Sequence, residues 1–316
     1  MSAQLDQSAN LPSGVGQFVI GASCAIAAVS IWAGWLVVMR LGVTTRLSVP
    51  DLTALRFATA GLVLLPVVLR HGLAIDRLGW SGFASIVLGG GAPVALVIGA
   101  ALQFAPVAHA GALYQGTVPF AVACVAAIVV KERIATIRKA GLVFVVCGSS
   151  MIGGLGLSTF GGRQSIGHLL FLLASFMTAC YTVAIRSSRI DGLHGAALAA
   201  VVSLLLYLPP YLVFFDNGLL SVPTSDLVFQ ALYQGVLTAA ISLALYGRAI
   251  HLLGASNAAA FVALGPIMAA LIAIPALGEW PSSITWVAIL IIATGVYLVS
   301  GGPLPPGRLR TPAQRP

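Results

Sequence analysis

Ten apolar stretches, separated by short polar connections, set the rhythm of this chain. Crossing the hydrocarbon core of a bilayer takes about 20 apolar residues in a helix. The stretches Phe18–Met39, Leu52–Leu69, Gly82–Phe104, Val107–Val130 and Ala140–Leu157 approach or meet that length, as do Ile166–Ile185, Ala196–Phe215, Leu227–Ile250, Ala255–Leu277 and Ile284–Val299. The pattern predicts an all-α membrane protein with ten transmembrane helices. Residues 1–16 are polar and contain no Lys or Arg, so they match neither the basic start of a signal peptide nor a transit peptide. They read as a tail before a retained first span. Residues 302–316 are polar and proline-rich, the composition of a disordered tail.

Within this rhythm one motif occurs twice. Pro119 precedes Glu132 as Pro266 precedes Glu279, and the offset of 147 (266 − 119 = 279 − 132) also carries Gly148 onto Gly295 and Gly154 onto Gly301. A duplicated intramembrane pattern with a mid-helix proline marks a transporter built of two structural repeats. The repeats are residues 17–157 and 158–301, with five spans each. Five is odd, so the second repeat must be inverted relative to the first. Lys and Arg then fix the orientation: twelve lie in connections and the tail on one side, three (Arg40, Arg46, Arg163) on the other, and Arg56 inside span two. The positive-inside rule places the richer side, and with it both termini, in the cytoplasm.

Composition sharpens this picture. Hydrophobic residues make up 59% of the 316 and charged residues 8%, where a soluble domain carries about 25% charged residues. Most of the exterior must therefore face lipid. The formal charge of +8 does not imply nucleic acid, because the basic residues lie in short connections without interleaved aromatics. Cys24, Cys124, Cys147 and Cys180 fall inside apolar runs with no CxxC spacing, so no metal, redox or cofactor site is expected. Two lysines against fourteen arginines is the bias of a GC-rich bacterial chain, which places the protein in a bacterial inner membrane.

Candidate chemistry is sparse. Gln115 shares a helix face with Gly111 and Pro119. It either contacts a solute or bonds a neighbouring helix, a bond worth about 1 kcal/mol. Tyr114 is adjacent, about 100° round the helix. His109 and Asn257 occupy near-equivalent places close to their helix starts, where an interfacial polar role takes precedence over a ligand. Trp32, Trp35, Tyr181 and Tyr246 lie deep in spans one, six and eight; each fits ordinary helix packing, and as a group they are candidates for stacking on a solute. Arg56 sits about five residues, some 7 Å, from its helix start, near enough to snorkel outward or satisfy carbonyls. Pro93, Pro119 and Pro266 each remove a backbone donor in mid-span. Glu132 and Glu279 fall on opposite membrane faces and cannot form a catalytic pair; capping and salt bridging with basic loops suits Glu132, beside Lys131 and Arg133.

The run 105–134 (APVAHAGALYQGTVPFAVACVAAIVVKERI), its second copy at 254–280 (GASNAAAFVALGPIMAALIAIPALGEW) and Pro50 with Leu55-Arg56-Phe57 resemble the EamA family of the drug/metabolite transporter superfamily. Lys131 stands where that family often has Gly before Glu, while Gly278-Glu279 keeps the pattern. The resemblance implies a ten-helix inverted-repeat carrier. Spans three, four, eight and nine would line its central path, and spans one and six would gate it. It further implies a non-enzymatic secondary transporter of small organic solutes, with export of amino acids or related metabolites as the leading substrate class. Drugs, sugar phosphates and nucleotide sugars are the alternatives. No Asp or Glu lies inside a predicted span, so a carboxylate proton relay is not expected. This favours an electroneutral facilitator, with His109 leaving proton coupling open. Neither an enzyme's converging nucleophile and base nor a channel's charge ring is visible.

Overall fold

The computed structural model describes residues 13–45, 47–132, 136–157, 162–215, 219 and 222–300. The polar tail at 302–316, Arg46 and Arg133 lie outside them. Among the described residues every regular element is helical. We number ten membrane helices: α1 Ser13–Thr45, α2 Val49–His71, α3 Ile75–Phe104, α4 Val107–Val129, α5 Thr136–Leu157, α6 Arg163–Ser187, α7 Gly192–Phe214, α8 Thr224–Leu253, α9 Ala255–Leu277 and α10 Ser283–Val299. Among the described residues nine are long and apolar enough to cross a membrane, and α10 is a shorter apolar helix of 17 residues.

Most helices run a few residues beyond their apolar stretches because polar residues close them. At the start of α2, Ser48 and Asp51 form a capping box and Pro50 sits in the first turn, where its missing N–H costs nothing. Asp191 caps α7 through Leu193 N–H, and Ser282 caps α10 through Thr285 N–H. The first helix already includes Ser13, inside the stretch expected to be a tail.

Packing follows the duplication. The main contacts pair α1 with α8 and α6 with α3, α1 with α9 and α6 with α4, and α2 with α8 and α7 with α3. Advancing each helix by five places turns each pair into its partner. The remaining strong pairs, α2 with α7, α5 with α10 and α4 with α9, map onto themselves. That is the contact pattern of two five-helix repeats related by a pseudo-two-fold axis, with the second inverted. Gly141 and Gly295 bring α5 and α10 together: a Cβ on Gly141 would lie 2.7 Å from the Gly295 carbonyl oxygen. Only glycine permits that approach.

Three of the four central helices carry mid-span breaks at the expected prolines. In α3 the backbone leaves the helical region at Gly91 and resumes at Ala92, with Pro93 in the new first turn. The freed Ala92 N–H donates to Ser203 Oγ at 2.8 Å. Helix α4 loosens into a π segment at Gly111–Gln115 before Pro119 opens its second half. Helix α9 instead tightens into a 3-10 turn at Val262–Leu264 before Pro266. Helix α8 has no internal proline, yet it contains a ten-residue π segment, Leu232–Ile241.

Candidate functional site

These breaks surround a central cavity of about 540 Å³. Six of the eight solute candidates line it: Trp32 and Trp35 of α1, Tyr114 and Gln115 of α4, Tyr181 of α6 and Tyr246 of α8. Arg56 of α2 joins them. His109 and Asn257 do not. Asn257 is exposed at the start of α9, where its amide donates to Leu253 O, the last residue of α8. His109 is buried against α6.

The two tryptophan rings are held by their polar edges. Trp32 Nε1 donates to Ser242 Oγ at 2.9 Å, and that hydroxyl donates to Thr238 O at 2.6 Å. Trp35 Nε1 donates to Gln234 Oε1 at 3.3 Å; Gln234 in turn donates to Gln230, and Gln230 to Val38 O. Trp32 packs against Tyr246 with ring centres 5.1 Å apart, and Trp35 meets Tyr114 edge-on at 6.5 Å. Sequence reasoning missed this support. Its signal was nevertheless present, because Gln230, Gln234, Thr238 and Ser242 recur every fourth residue and so form one polar stripe along α8.

Two polar atoms in the cavity wall are buried without a hydrogen-bond partner, Arg56 Nη1 and Gln115 Oε1. The guanidinium carbon of Arg56 lies 4.5 Å from the Trp35 ring centre and 5.6 Å from that of Phe57, so cation–π attraction holds it in place. Gln115 has used its donor, with Nε2 on Trp32 O at 3.0 Å. Among the described lining residues there is no carboxylate. The cavity therefore presents one cation, one free acceptor, aromatic faces and the hydroxyls of Thr178, Thr182 and Thr238.

The two glutamates of the duplicated motif sit at opposite ends, each against an arginine near the end of the first helix of the other repeat. Glu279 Oε1 accepts from Arg40 Nε at 2.9 Å and Oε2 from Val107 N–H at 2.8 Å, while Arg40 Nη1 donates to Leu102 O. Four helix ends are thereby tied together. Glu132 Oε2 accepts from Arg186 Nη2 at 2.8 Å, with Arg138 Nη1 3.5 Å from Oε1. The first pair is 19% exposed on both sides; the second is 59% exposed at Arg186 and 32% at Glu132. Arg40 was counted only as a loop charge in the sequence, yet Arg40 and Arg186 stand 146 residues apart, almost on the repeat offset.

A second cavity of about 320 Å³ lies at the Glu132 end, lined by Pro119, Glu132, Arg138 and Arg186 among others. Both cavities share Val118, Thr182 and Val262, and the central one also reaches Ile185 and Gly192 at that end. Among the described residues, neither is lined by Arg40, Leu102 or Glu279. The cavity system extends to the Glu132 end and stops short of the Glu279 end.

Comparison with known proteins fits this arrangement. The model of the EamA-like transporter family matches residues 19–154 and, a second time, residues 165–301. A solved structure described as "Crystal structure of protein" superposes with a TM-score of 0.57 at 20% identity, covering 91% of this chain and 98% of its own. At that identity the likeness is one of fold. No curated protein matches.

Proposed function

The chain belongs to the EamA-like transporter family, and we propose that it is an inner-membrane secondary transporter that exports amino acids or related carboxylate-bearing metabolites by alternating access. The observation that carries the substrate class is the unpartnered Arg56 Nη1 in an aromatic cavity without a carboxylate. A buried guanidinium lacking a hydrogen-bond partner invites a planar anion, because its fork matches a carboxylate. Gln115 Oε1 supplies an acceptor for an ammonium or other N–H of the same solute. The ring faces of Trp32, Trp35 and Tyr246 suit an apolar side chain. A dianionic phosphate would meet a single guanidinium, and a cationic drug would meet it with no counter-charge, so both alternatives fit less well.

The arrangement of the two ends supports export. The positive-inside rule assigns the Glu132 end to the cytoplasm, and the cavities reach that end. A solute entering from the cytoplasm would reach Arg56 before the other end opened.

The test is transport in proteoliposomes loaded with single amino acids, competed with the matching amides, which lack the carboxylate. Amides should compete poorly. Arg56→Gln should weaken affinity by the worth of a hydrogen bond to a charged group, about 1.5–3 kcal/mol, or about 10- to 150-fold. Gln115→Ala should weaken affinity while costing little folding stability, about 0.6 kcal/mol. Equal competition by amides, or faster transport of amines without a carboxylate, would overturn the substrate class in favour of a drug carrier.

A further inference from the structure

One buried titratable cluster plays no part in the cavity. His109 Nδ1 lies 2.9 Å from His168 Nε2, with ring centres 5.0 Å apart, and Gln164 Nε2 lies 3.3 Å from the same His109 nitrogen. Both imidazoles are buried, at 7% and 6% exposure. They bridge α4 of the first repeat to α6 of the second. They also sit directly beneath the closed end, since Val107, two residues before His109, is the N–H donor to Glu279.

A hydrogen bond between two imidazoles needs one hydrogen on the shared line. The neutral pair has it, and a singly protonated pair keeps it. A second added proton would set two N–H groups head to head at 2.9 Å. The cluster therefore takes up one proton. We propose that His109 and His168 form a proton-binding site that controls the Glu279 end, with one proton favouring its opening. Burying an imidazolium between two helices costs far more than exposing it to water. With the end shut, the cluster is sealed from solvent and held neutral; with it open, a proton enters and is hydrated.

The surrounding charges support this assignment. Among the described residues, Arg40 of α1 and Arg163 of α6 are the cations at this end; its anions are Asp51, Asp226 and Glu279, the last already held by Arg40 and by Val107 N–H. The packed segment of α3 (Ala92–Phe104) carries no ionisable side chain, and the π segment of α4 adds Tyr114. Asp76, Arg77, Arg138, Lys139 and Arg186 belong to the opposite ends of α3, α5 and α6, and Tyr297 to that of α10. Asp51 is engaged by Ser48 and Tyr211 on the α2–α7 side. An imidazolium here would compete with Arg40 for Glu279 and loosen the tie. The repeat gives no second copy: an offset of 147 carries His109 onto Ser256 and His168 onto Gly21 (168 − 147 = 21). Proton control therefore acts on one end alone, and under the orientation above that is the outer end.

The experiment needs no solute, so its outcome stands apart from the substrate reading. Nitroxides are placed at Thr44→Cys on α1 and Ile166→Cys on α6, both exposed at this end, in a cysteine-free background in nanodiscs. Distance distributions are recorded by double electron–electron resonance from about pH 8 to about pH 5, the range in which histidine titrates. A longer-distance population should grow on acidification, with the ratio of long to short changing by up to about tenfold per pH unit for one coupled proton. The change should vanish in His109→Asn and in His168→Asn. A pH-independent distribution would overturn the proposal. So would an acid response that survives both histidine variants and disappears in Glu279→Gln, since the proton would then sit on the carboxylate.

Discussion

The two ion pairs are equivalent under the repeat and unequal in setting, which makes their removal a measurement of the conformational balance. Replacing Arg40 with Gln leaves Glu279 with a single donor, Val107 N–H, at a site about one-fifth exposed. Hydrogen bonds to charged groups at such sites contribute about 1.5–3 kcal/mol. Replacing Arg186 with Gln removes a pair that is 59% exposed on the arginine side, where such pairs contribute about 0–1 kcal/mol. Arg40→Gln should therefore shift the closed-to-open ratio of the Glu279 end by about 10- to 150-fold, while Arg186→Gln should shift the Glu132 end by at most about fivefold. A cysteine at Ala105, 1% exposed between α3 and α4, reports the first end through its rate of modification by an impermeant maleimide. When opening is fast, that rate follows the open population. An unchanged rate in Arg40→Gln, at normal folded yield, would show that the tie does not hold the end shut.

Further outcomes are expected from the fold itself. Pro119→Ala should express normally and slow transport, because a restored hydrogen-bond ladder stiffens the segment after the π turn; initial rates per folded molecule check it. Gly89→Ala should lose most folded protein, since its Cβ would lie 2.0 Å from the Met177 carbonyl oxygen on α6, and size-exclusion profiles report the loss. Reporter fusions after Leu73 and Thr136 should read as cytoplasmic and those after Arg46 and Asn217 as external; reversal at any two would sink the proposed orientation.

Much of this architecture could be read from the chain because lipid imposes a simple code. Span length, five-fold odd count and the 147-residue offset follow from apolar runs and two proline–glutamate copies. The deep aromatics were legible for the same reason, as bulky residues on the helices that a repeat fold puts at its centre. Arg56 was harder. Its place in the sequence allows a path to the membrane surface, and only the positions of Trp35 and Phe57 show that its guanidinium stays in the cavity. The histidine cluster was illegible because His109 and His168 belong to different repeats and meet across an interface. Nor does any local pattern distinguish His109 from Asn257, which the structure leaves exposed at the start of α9.

Where sequence symmetry and structural asymmetry meet, the difference carries information about state. Pro119 and Pro266 occupy the same place in two copies of one motif, and sequence alone gives no reason for their helices to differ. Yet the turn before Pro119 is widened to a π segment and the turn before Pro266 is tightened to 3-10. The widened turn belongs to the helix whose far end, at Glu132, borders an open cavity; the tightened one belongs to the helix whose Glu279 is tied down. Under the proposed alternation these conformations exchange, so that α9 loosens as α4 tightens and the Arg186–Glu132 pair gains the burial that Arg40–Glu279 now has. The prolines matter here because each has already removed the bond that would fix its turn in one form. Both turns can then change pitch without breaking a regular ladder, at the depth of the central cavity.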